Sequence, residues 1–147
     1  MKINNVSCFN QDFTKCRNKD FNKIIIDAPC SGTGSINKKP DIKIRINNNK
    51  SYDYENIQTS LLNHASHILK DGGIIIYSTC SLNSNENWDI IEKFLNKSTN
   101  FEIENIDNLV PKKYIDKKGA LFINPLEHKL DGMFAVKLKK LINENII

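Results

Sequence analysis

The sequence lacks any long apolar segment. Its 147 residues are 39% hydrophobic and 26% charged, and no run approaches the roughly 18 apolar residues that a membrane helix needs. The first residues, Met-Lys-Ile-Asn-Asn, also lack the apolar core of a secretory signal. We therefore expect one soluble intracellular domain with a modest core and no membrane partner. The compartment stays open between the nucleus or nucleolus and the cytoplasm.

Several common site motifs are missing as well. The four cysteines, Cys8, Cys16, Cys30 and Cys80, are too unevenly spaced for a disulfide framework or a paired zinc site. No Gly-Lys-Ser/Thr sequence closes the glycine-containing stretch, which excludes a P-loop. Ile36 stands six positions after Cys30, where a phosphatase loop needs arginine. We predict no metal site, so the chemistry available to this chain rests on thiols and carboxylates.

Two stretches share one pattern, an apolar run that leads into a loop with a cysteine. The run at residues 24–26 precedes Asp-Ala-Pro-Cys-Ser-Gly-Thr-Gly, and the run at residues 74–78 precedes Thr-Cys-Ser. Each run predicts a buried strand that opens into a sharp loop. Asp27 and Cys30 follow the first strand, and Cys80 follows the second. In open α/β sheets the chemistry lies at the carboxyl ends of the strands.

A helix pattern over residues 54–70 connects the two strands. Its apolar positions recur at helical spacing, which predicts that the buried face carries Ile57, Leu61, Ala65 and Ile68. Leu62 and Leu69 widen the same face. The sequence Asp-Gly-Gly at 71–73 is expected to end this helix with a left-handed cap. A strand, a helix and a strand form a βαβ unit with parallel strands, so Cys30 and Cys80 should meet at the same sheet edge.

The remaining segments predict a mixed α/β domain. Residues 5–9 are expected to form a first strand that buries Cys8 and ends before Asp12, and Asn83 with Glu86 resembles a capping box before a helix. Strands are also predicted at 101–104, 120–123 and 133–138, the last two pairing antiparallel at the edge of the sheet. A carboxylate such as Asp12 can hold the ribose or adenine of a nucleotide. A plain surface turn explains Asp12 equally simply.

Residues 36–50 form a basic stretch directly after the first cysteine loop. It holds Lys38, Lys39, Lys43, Arg45 and Lys50 against Asp41, a net charge of +4, which equals the formal charge of the whole chain. A solvated loop explains such a stretch by itself. Its place beside a predicted site also suits contact with a phosphate backbone.

The two thiols suggest covalent or acid–base chemistry. A thiolate near positive charge is a strong nucleophile, so one cysteine could attack a substrate while the other acts as acid or base. Asp27 would hold a polar ligand beside them. From the residues alone, two structural cysteines remain the competing interpretation.

The motifs taken together resemble the Sun/Fmu-type family of RNA cytosine-5 methyltransferases. The resemblance is carried by residues 27–34 with 39–43, by residues 77–81 with Glu86 and Asn87, by residues 131–138, and by Gln58 in the intervening helix. It implies a Rossmann-like S-adenosylmethionine-dependent methyltransferase sheet with an antiparallel last strand. The implied partner is ribosomal or transfer RNA.

The resemblance also implies a role for each site residue. Cys80 would add to carbon 6 of a cytosine, and Cys30 would help to remove the carbon 5 proton and release the adduct. Asp27 would contact the cofactor or the cytosine, and Asp12 would be the acid on the adenosine side. The base must leave its stack to be attacked, and Lys38, Lys39, Lys43 and Arg45 would hold the RNA backbone around it.

One feature of that family has no counterpart in this sequence. Family members carry a glycine-rich cofactor loop after the first strand, followed by an acidic ribose contact, and nothing before Asp12 supplies either. We therefore expect residues 1–147 to be the C-terminal portion of a single catalytic domain, with a sheet incomplete on its N-terminal side. A missing N-terminal half or a second chain would complete it. The alternatives are a non-catalytic RNA-binding or assembly fragment, and a structural α/β domain with incidental cysteines.

Overall fold

The computed structural model describes residues 5–47 and 53–142. In chain order its helices and strands are β1 (Phe21–Asp27), α1 (Asp41–Asn47), α2 (Tyr54–Ile68), β2 (Leu69–Thr79), α3 (Trp88–Lys97), β3 (Phe101–Ile103), β4 (Leu121–Ile123), α4 (Pro125–His128) and β5 (Met133–Lys140). Short 3-10 turns lie at Phe13–Lys15, Thr33–Ser35, Ser84–Glu86 and Lys112–Tyr114. No described helix is long and apolar enough to cross a membrane.

One five-stranded sheet organises these elements. Strands β1 and β2 run parallel with Ile24 opposite Ile75, which confirms the predicted βαβ unit. Strand β5 pairs antiparallel with β2, and β3 and β4 pair antiparallel with β5. The antiparallel pairing of β4 with β5 is confirmed, but β5 lies inside the sheet and not at its edge. The mixed α/β class is therefore as expected.

The core lies between the sheet and helices α2 and α3. Ile24 and Ile26 of β1 and Ile75 and Tyr77 of β2 point to the helical side and are buried. The buried residues of α2 are Gln58, Leu62, Ala65 and Ile68. The last three confirm the prediction, whereas Ile57 is 44% exposed and Gln58 takes a place in the interior. The burial of Gln58 was not predicted, because a pattern of apolar residues does not indicate a buried amide.

The end of α2 also differs from the prediction. The helix ends at Ile68, and Leu69 already belongs to β2. Gly72 does adopt the left-handed conformation, with φ of 73°, but it does so within β2. There the register shifts, because Phe21 is opposite Leu69 whereas Lys23 is opposite Ile74. The glycine therefore accommodates a bulge and not a helix cap.

The predicted strand at residues 5–9 was wrong. This segment has no strand structure, and Val6, Cys8 and Phe9 are exposed. Apolar residues at alternate positions form a strand only where a neighbouring strand accepts their hydrogen bonds, and no described strand pairs with this segment. Cys8 is therefore not a core residue in this structure.

Candidate active site

The loops after β1 and β2 lie against each other at the carboxyl ends of the two strands. The Ala28 N–H donates to the Ser78 carbonyl at 2.9 Å, which continues the strand pairing into the loops. Beyond that point the Sγ atoms of Cys30 and Cys80 lie 3.3 Å apart. Cys80 is exposed and Cys30 is half-buried, so the pair faces solvent. The predicted meeting of the two thiols is confirmed.

The two thiols are not equivalent. Burial, and then the hydrogen bond with Cys80, raise the pKa of Cys30 to about 12, because a thiolate loses solvation in a partly dry site. Cys30 therefore stays protonated near neutral pH and can donate a hydrogen bond to the sulfur of Cys80. This arrangement favours Cys80, the more exposed sulfur, as the atom that meets a substrate.

The side chain of Glu86 connects the two cysteine loops through hydrogen bonds. Its side chain is almost fully buried, and its Oε2 accepts a 2.7 Å hydrogen bond from the N–H of Ser31, next to Cys30. Its Oε1 accepts from the Ser81 hydroxyl, next to Cys80, at 3.0 Å, and from the Asn83 amide at 2.8 Å. One carboxyl group thus fixes the neighbours of both thiols.

Further polar side chains hold the Cys80 loop in shape. The Thr79 hydroxyl donates to Asn87 Oδ1 at 2.6 Å, and the Asn87 amide donates to the Ser81 carbonyl at 2.9 Å. Thr33 Oγ1, from the first loop, accepts the Leu82 N–H at 2.8 Å. Buried polar groups that are fully paired make a site rigid, so neither cysteine loop depends on apolar packing alone.

A third segment, the entry to β5, closes the arrangement through two glycines. The Gly34 N–H donates to the Cys80 carbonyl at 2.9 Å, and the Gly132 N–H donates to the Gly34 carbonyl at 2.8 Å. A Cβ on Gly34 would stand 2.5 Å from the Gly132 carbonyl oxygen. Only residues without a side chain permit such a close approach of two backbones.

The two predicted cofactor residues lie in different places. Asp27 is exposed at the end of β1, and its Oδ1 lies 3.5 Å from the Ser78 hydroxyl, on the same edge as the thiols. Asp12 caps the Phe13–Lys15 turn and accepts from the N–H and hydroxyl of Thr14 at 2.9 and 2.8 Å, bonds that lower the pKa of Asp12. Neighbouring Phe13 packs on His64 of α2. The described hydrogen bonds of Asp12 stay within its own turn, and none of them reaches the cysteine loops.

The basic stretch is only partly a loop. Residues 41–47 form α1, anchored by the buried Ile42, and Lys39 and Lys43 are exposed nearby. Lys38 binds Asp131 at 2.5 Å while remaining largely exposed, so it also ties this stretch to the entry of β5. The side chain of Arg45 lies outside the described residues, as does Lys50.

The comparison with protein families shows which family the chain belongs to. The family described as 16S rRNA methyltransferase RsmB/F matches residues 1–139. The chain belongs to this family. The family resemblance that the motifs carried is therefore confirmed.

Individual RsmB/F relatives and solved structures agree with this assignment. The "Probable ribosomal RNA small subunit methyltransferase B" of Bacillus subtilis (strain 168) is 34% identical over 126 residues, which are 84% of this chain and 28% of that protein. The chain thus spans about a quarter of the length of the curated relatives it matches. A "Methyltransferase Homolog Protein" from Pyrococcus horikoshii is 32% identical with a TM-score of 0.62, over 84% of this chain and 40% of that one.

A third comparison concerns the fold alone. NSun6 from Pyrococcus horikoshii, solved with SFG, is 22% identical and has a TM-score of 0.75, covering 95% of this chain and 36% of that one. The arrangement of β1, α2, β2 and β5 is therefore a methyltransferase fold.

The family resemblance includes Glu86 and Gln58, but the sequence did not predict how they support this RsmB/F site. Glu86 was assigned to a capping box, but its own side chain accepts from Asn83 and from both cysteine loops. Gln58 was absent from the predicted core, yet its Nε2 donates to the Pro29 carbonyl at 2.8 Å. The available signal was a polar residue inside an apolar helix face, together with a glutamate six positions after Cys80.

Proposed function

We propose that this chain supplies the catalytic thiols of an RNA cytosine-5 methyltransferase acting on small-subunit ribosomal RNA. The observation that carries the proposal is the pair of sulfur atoms 3.3 Å apart at the carboxyl ends of parallel strands. A lone structural cysteine needs no such partner. Membership of the RsmB/F family supports RNA as the substrate, and exposed lysines such as Lys39 and Lys43 suit its phosphates.

The two thiols act in sequence. As a thiolate, Cys80 Sγ forms a bond with carbon 6 of an unstacked cytosine, and the electron pair of the 5,6 double bond becomes available at carbon 5. After carbon 5 has been methylated, its proton must leave, the double bond re-forms, and the Cys80 thiolate departs. Cys30, 3.3 Å from Cys80, is the group beside the adduct that would take that proton, and it acts as this base in its thiolate form, which its raised pKa makes a minor species near neutral pH.

The described residues fit the reacting end of the cofactor that the family implies. Asp27 presents an exposed carboxylate on the thiol edge, where it can bind the cationic end of S-adenosylmethionine or the amino group of cytosine. NSun6 was solved with SFG, an analogue of this cofactor. When bound, S-adenosylmethionine supplies the methyl group. Asp12 remains a prediction for the adenosine end. Its carboxylate accepts two hydrogen bonds from Thr14.

We further propose that a preceding N-terminal segment or a second chain completes the sheet. Within the described ranges, β1 pairs only with β2. Its other edge is therefore open to another strand. In the family resemblance, the missing strands would carry the glycine-rich cofactor loop.

Trapping a covalent complex tests the catalytic roles. The chain, completed by the N-terminal segment proposed above, is incubated with S-adenosylmethionine and small-subunit ribosomal RNA, and protein is resolved under denaturing conditions. Cys30→Ala is expected to accumulate a protein–RNA adduct because release is blocked, whereas Cys80→Ala should form none. Cys8→Ala, at an exposed cysteine outside the site, is the matched control and should behave as the parent chain. An adduct in Cys80→Ala would contradict the assignment of the nucleophile.

A non-catalytic RNA-binding fragment is the second candidate. It is favoured by one observation, the use of the Asp12 carboxylate within its own turn. Titration of this chain with S-adenosylmethionine by calorimetry separates the two candidates. Saturable binding supports the enzyme, and RNA binding without cofactor binding supports the fragment.

A further inference from the structure

A cavity lies next to the Cys80 loop, and neither Cys30 nor Cys80 lines it. Its volume is about 380 Å³, and its apolar wall consists of Leu82, Trp88, Phe122 and Phe134. Pockets that bind small molecules range from about 300 to 1,000 Å³ and are mostly apolar. The cavity is therefore large enough to bury a planar heterocyclic ring.

The position of this cavity is fixed by the sheet. Phe134 of β5 is opposite Thr79, the last residue of β2, and Phe122 of β4 is opposite Phe134. Neighbouring strands are about 4.8 Å apart, so these rings lie one and two strands from the end of β2. Leu82 is two residues after Cys80. The cavity thus lies at the same end of the sheet as the thiols.

Two lysines stand at the rim of the cavity, and one of them, Lys118, is ion-paired with Glu92. Residues 111–118 contain four lysines and one aspartate, and Lys117 and Lys118 line the cavity. Lys117 is exposed, and the Lys118 ammonium lies 5.1 Å from the centre of the Trp88 ring. This lysine-rich segment has no role in the proposed chemistry.

Asp116, the acidic residue in this segment, is used internally. It accepts from the Trp88 indole N–H at 2.6 Å, and from the N–H groups of Lys118 and Ala120 at 2.9 and 3.0 Å. Asp116 also lines the cavity, and these three donors hold its carboxylate in place. The same bonds hold the Trp88 ring and the basic turn in one position.

We propose that this cavity binds an unpaired nucleobase of the RNA, next in the strand to the cytosine at the thiols. The inference rests on the proposed function and adds a second base site to it. Proteins recognise single-stranded RNA by packing splayed bases on aromatic side chains while basic residues contact the backbone. Trp88 and Phe122 supply the aromatic wall, and Lys117 supplies the charge.

Trp88 makes the proposal directly measurable because it is the sole tryptophan of the chain. A single-stranded hexanucleotide of cytidine and uridine is titrated into the chain while indole fluorescence is recorded, and binding is measured separately by anisotropy of a labelled copy. We expect saturable quenching at the RNA concentrations that saturate the anisotropy. Sodium polyphosphate, which has charge but no bases, should leave the indole signal unchanged.

Two variants sharpen the test. Lys117→Ala should weaken RNA binding about three- to tenfold and reduce the slope of log affinity against log salt by about 1, as for one lost phosphate contact. Lys97→Ala is the matched control, because this exposed lysine lies nine residues from Trp88 on α3, about 13 Å away. It should leave the indole quenching unchanged.

The outcomes separate this site from the proposed function. RNA binding without any change at Trp88 would overturn the base site and leave the methyltransferase proposal standing. Equal quenching by polyphosphate would also overturn it, since no base would then be required. Emission changes that depend on protein concentration alone would assign the cavity to a second copy. Absence of RNA binding altogether would overturn both proposals.

Discussion

At the scale of single residues, Glu86 links the chemistry to the fold. A buried carboxyl group is costly unless donors surround it, and Glu86 receives them from Ser31, Ser81 and Asn83. The same contacts set the positions of the residues next to each thiol. The distance between the sulfur atoms is therefore controlled by a side chain that lies beneath them.

Removal of this carboxyl group should destabilise the chain. Glu86→Ala leaves several buried donors without an acceptor, and we expect a loss of about 2–4 kcal/mol in the free energy of unfolding, measured in urea. Glu86→Gln, which keeps one acceptor oxygen, should lose less. Glu102→Ala, at an exposed position of β3, should stay within about 0.5 kcal/mol of the parent. An equal loss in both alanine variants would contradict the role given to Glu86.

The raised pKa of Cys30 predicts a distinctive reactivity. Iodoacetamide reacts with the thiolate, so alkylation of Cys30 should be slow at pH 8 and increase about tenfold per pH unit towards its pKa of about 12. Peptide mass spectrometry follows each cysteine separately. In Cys80→Ala the reaction should begin at lower pH, because the hydrogen bond that protonated Cys30 donates to Cys80 contributes, after burial, to the raised pKa. Rapid alkylation of Cys30 at pH 8 in the parent chain would contradict this account.

At the scale of elements, three chain segments meet without side chains between them. The loop after β1, the loop after β2 and the entry to β5 are joined through backbone bonds of Gly34, Cys80 and Gly132. The contact explains why β5 must lie beside β2 inside the sheet, since its first residues support the thiol loops.

Gly34→Ala tests this junction. The added methyl group would clash with the Gly132 backbone, and overpacking of this kind costs about 1–3 kcal/mol. We expect a lower urea midpoint than for Ser35→Ala, a neighbouring change that meets no such obstacle. Equal midpoints for the two variants would show that the loops can separate without cost.

The sequence was most informative where pattern and chemistry coincide. The apolar runs before Cys30 and Cys80 predicted two parallel strands, and the βαβ rule then brought the thiols together. It was least informative where a polar side chain is buried and forms hydrogen bonds in the interior, as Gln58 and Glu86 do. The pattern at residues 5–9 misled for the opposite reason, because local alternation cannot show whether a pairing strand is available.

At the scale of the whole molecule, the sheet has one covered and one open face. Helices α2 and α3 cover the side of Ile24 and Ile75, whereas Ile25 on the opposite side of β1 is 72% exposed. Sheets with parallel strands are usually covered on both faces. The described part of the chain therefore leaves the apolar side chain of Ile25 exposed on the same strand that has an open edge.

The exposed Ile25 and the open edge of β1 should cause self-association. Ile25→Lys places a charge on the edge strand, a change that discourages pairing between sheets, and we expect sedimentation velocity to show less concentration-dependent association than in the parent. Stability should change by less than about 0.5 kcal/mol because the position is exposed. Leu126→Lys, an equally apolar but separate exposed position, is the control. An identical sedimentation profile for Ile25→Lys and the parent would contradict the prediction.

The short distance between Cys30 and Cys80 has a consequence for the durability of the protein. A disulfide bond measures about 2.05 Å, so the sulfur atoms, now at 3.3 Å, would need to approach by little more than roughly 1 Å. Hydrogen peroxide can take two electrons and two protons from such a pair, forming one disulfide and two molecules of water. The oxidised protein would have no free thiol at the sheet edge to attack a base until a reductant such as dithiothreitol restored the pair.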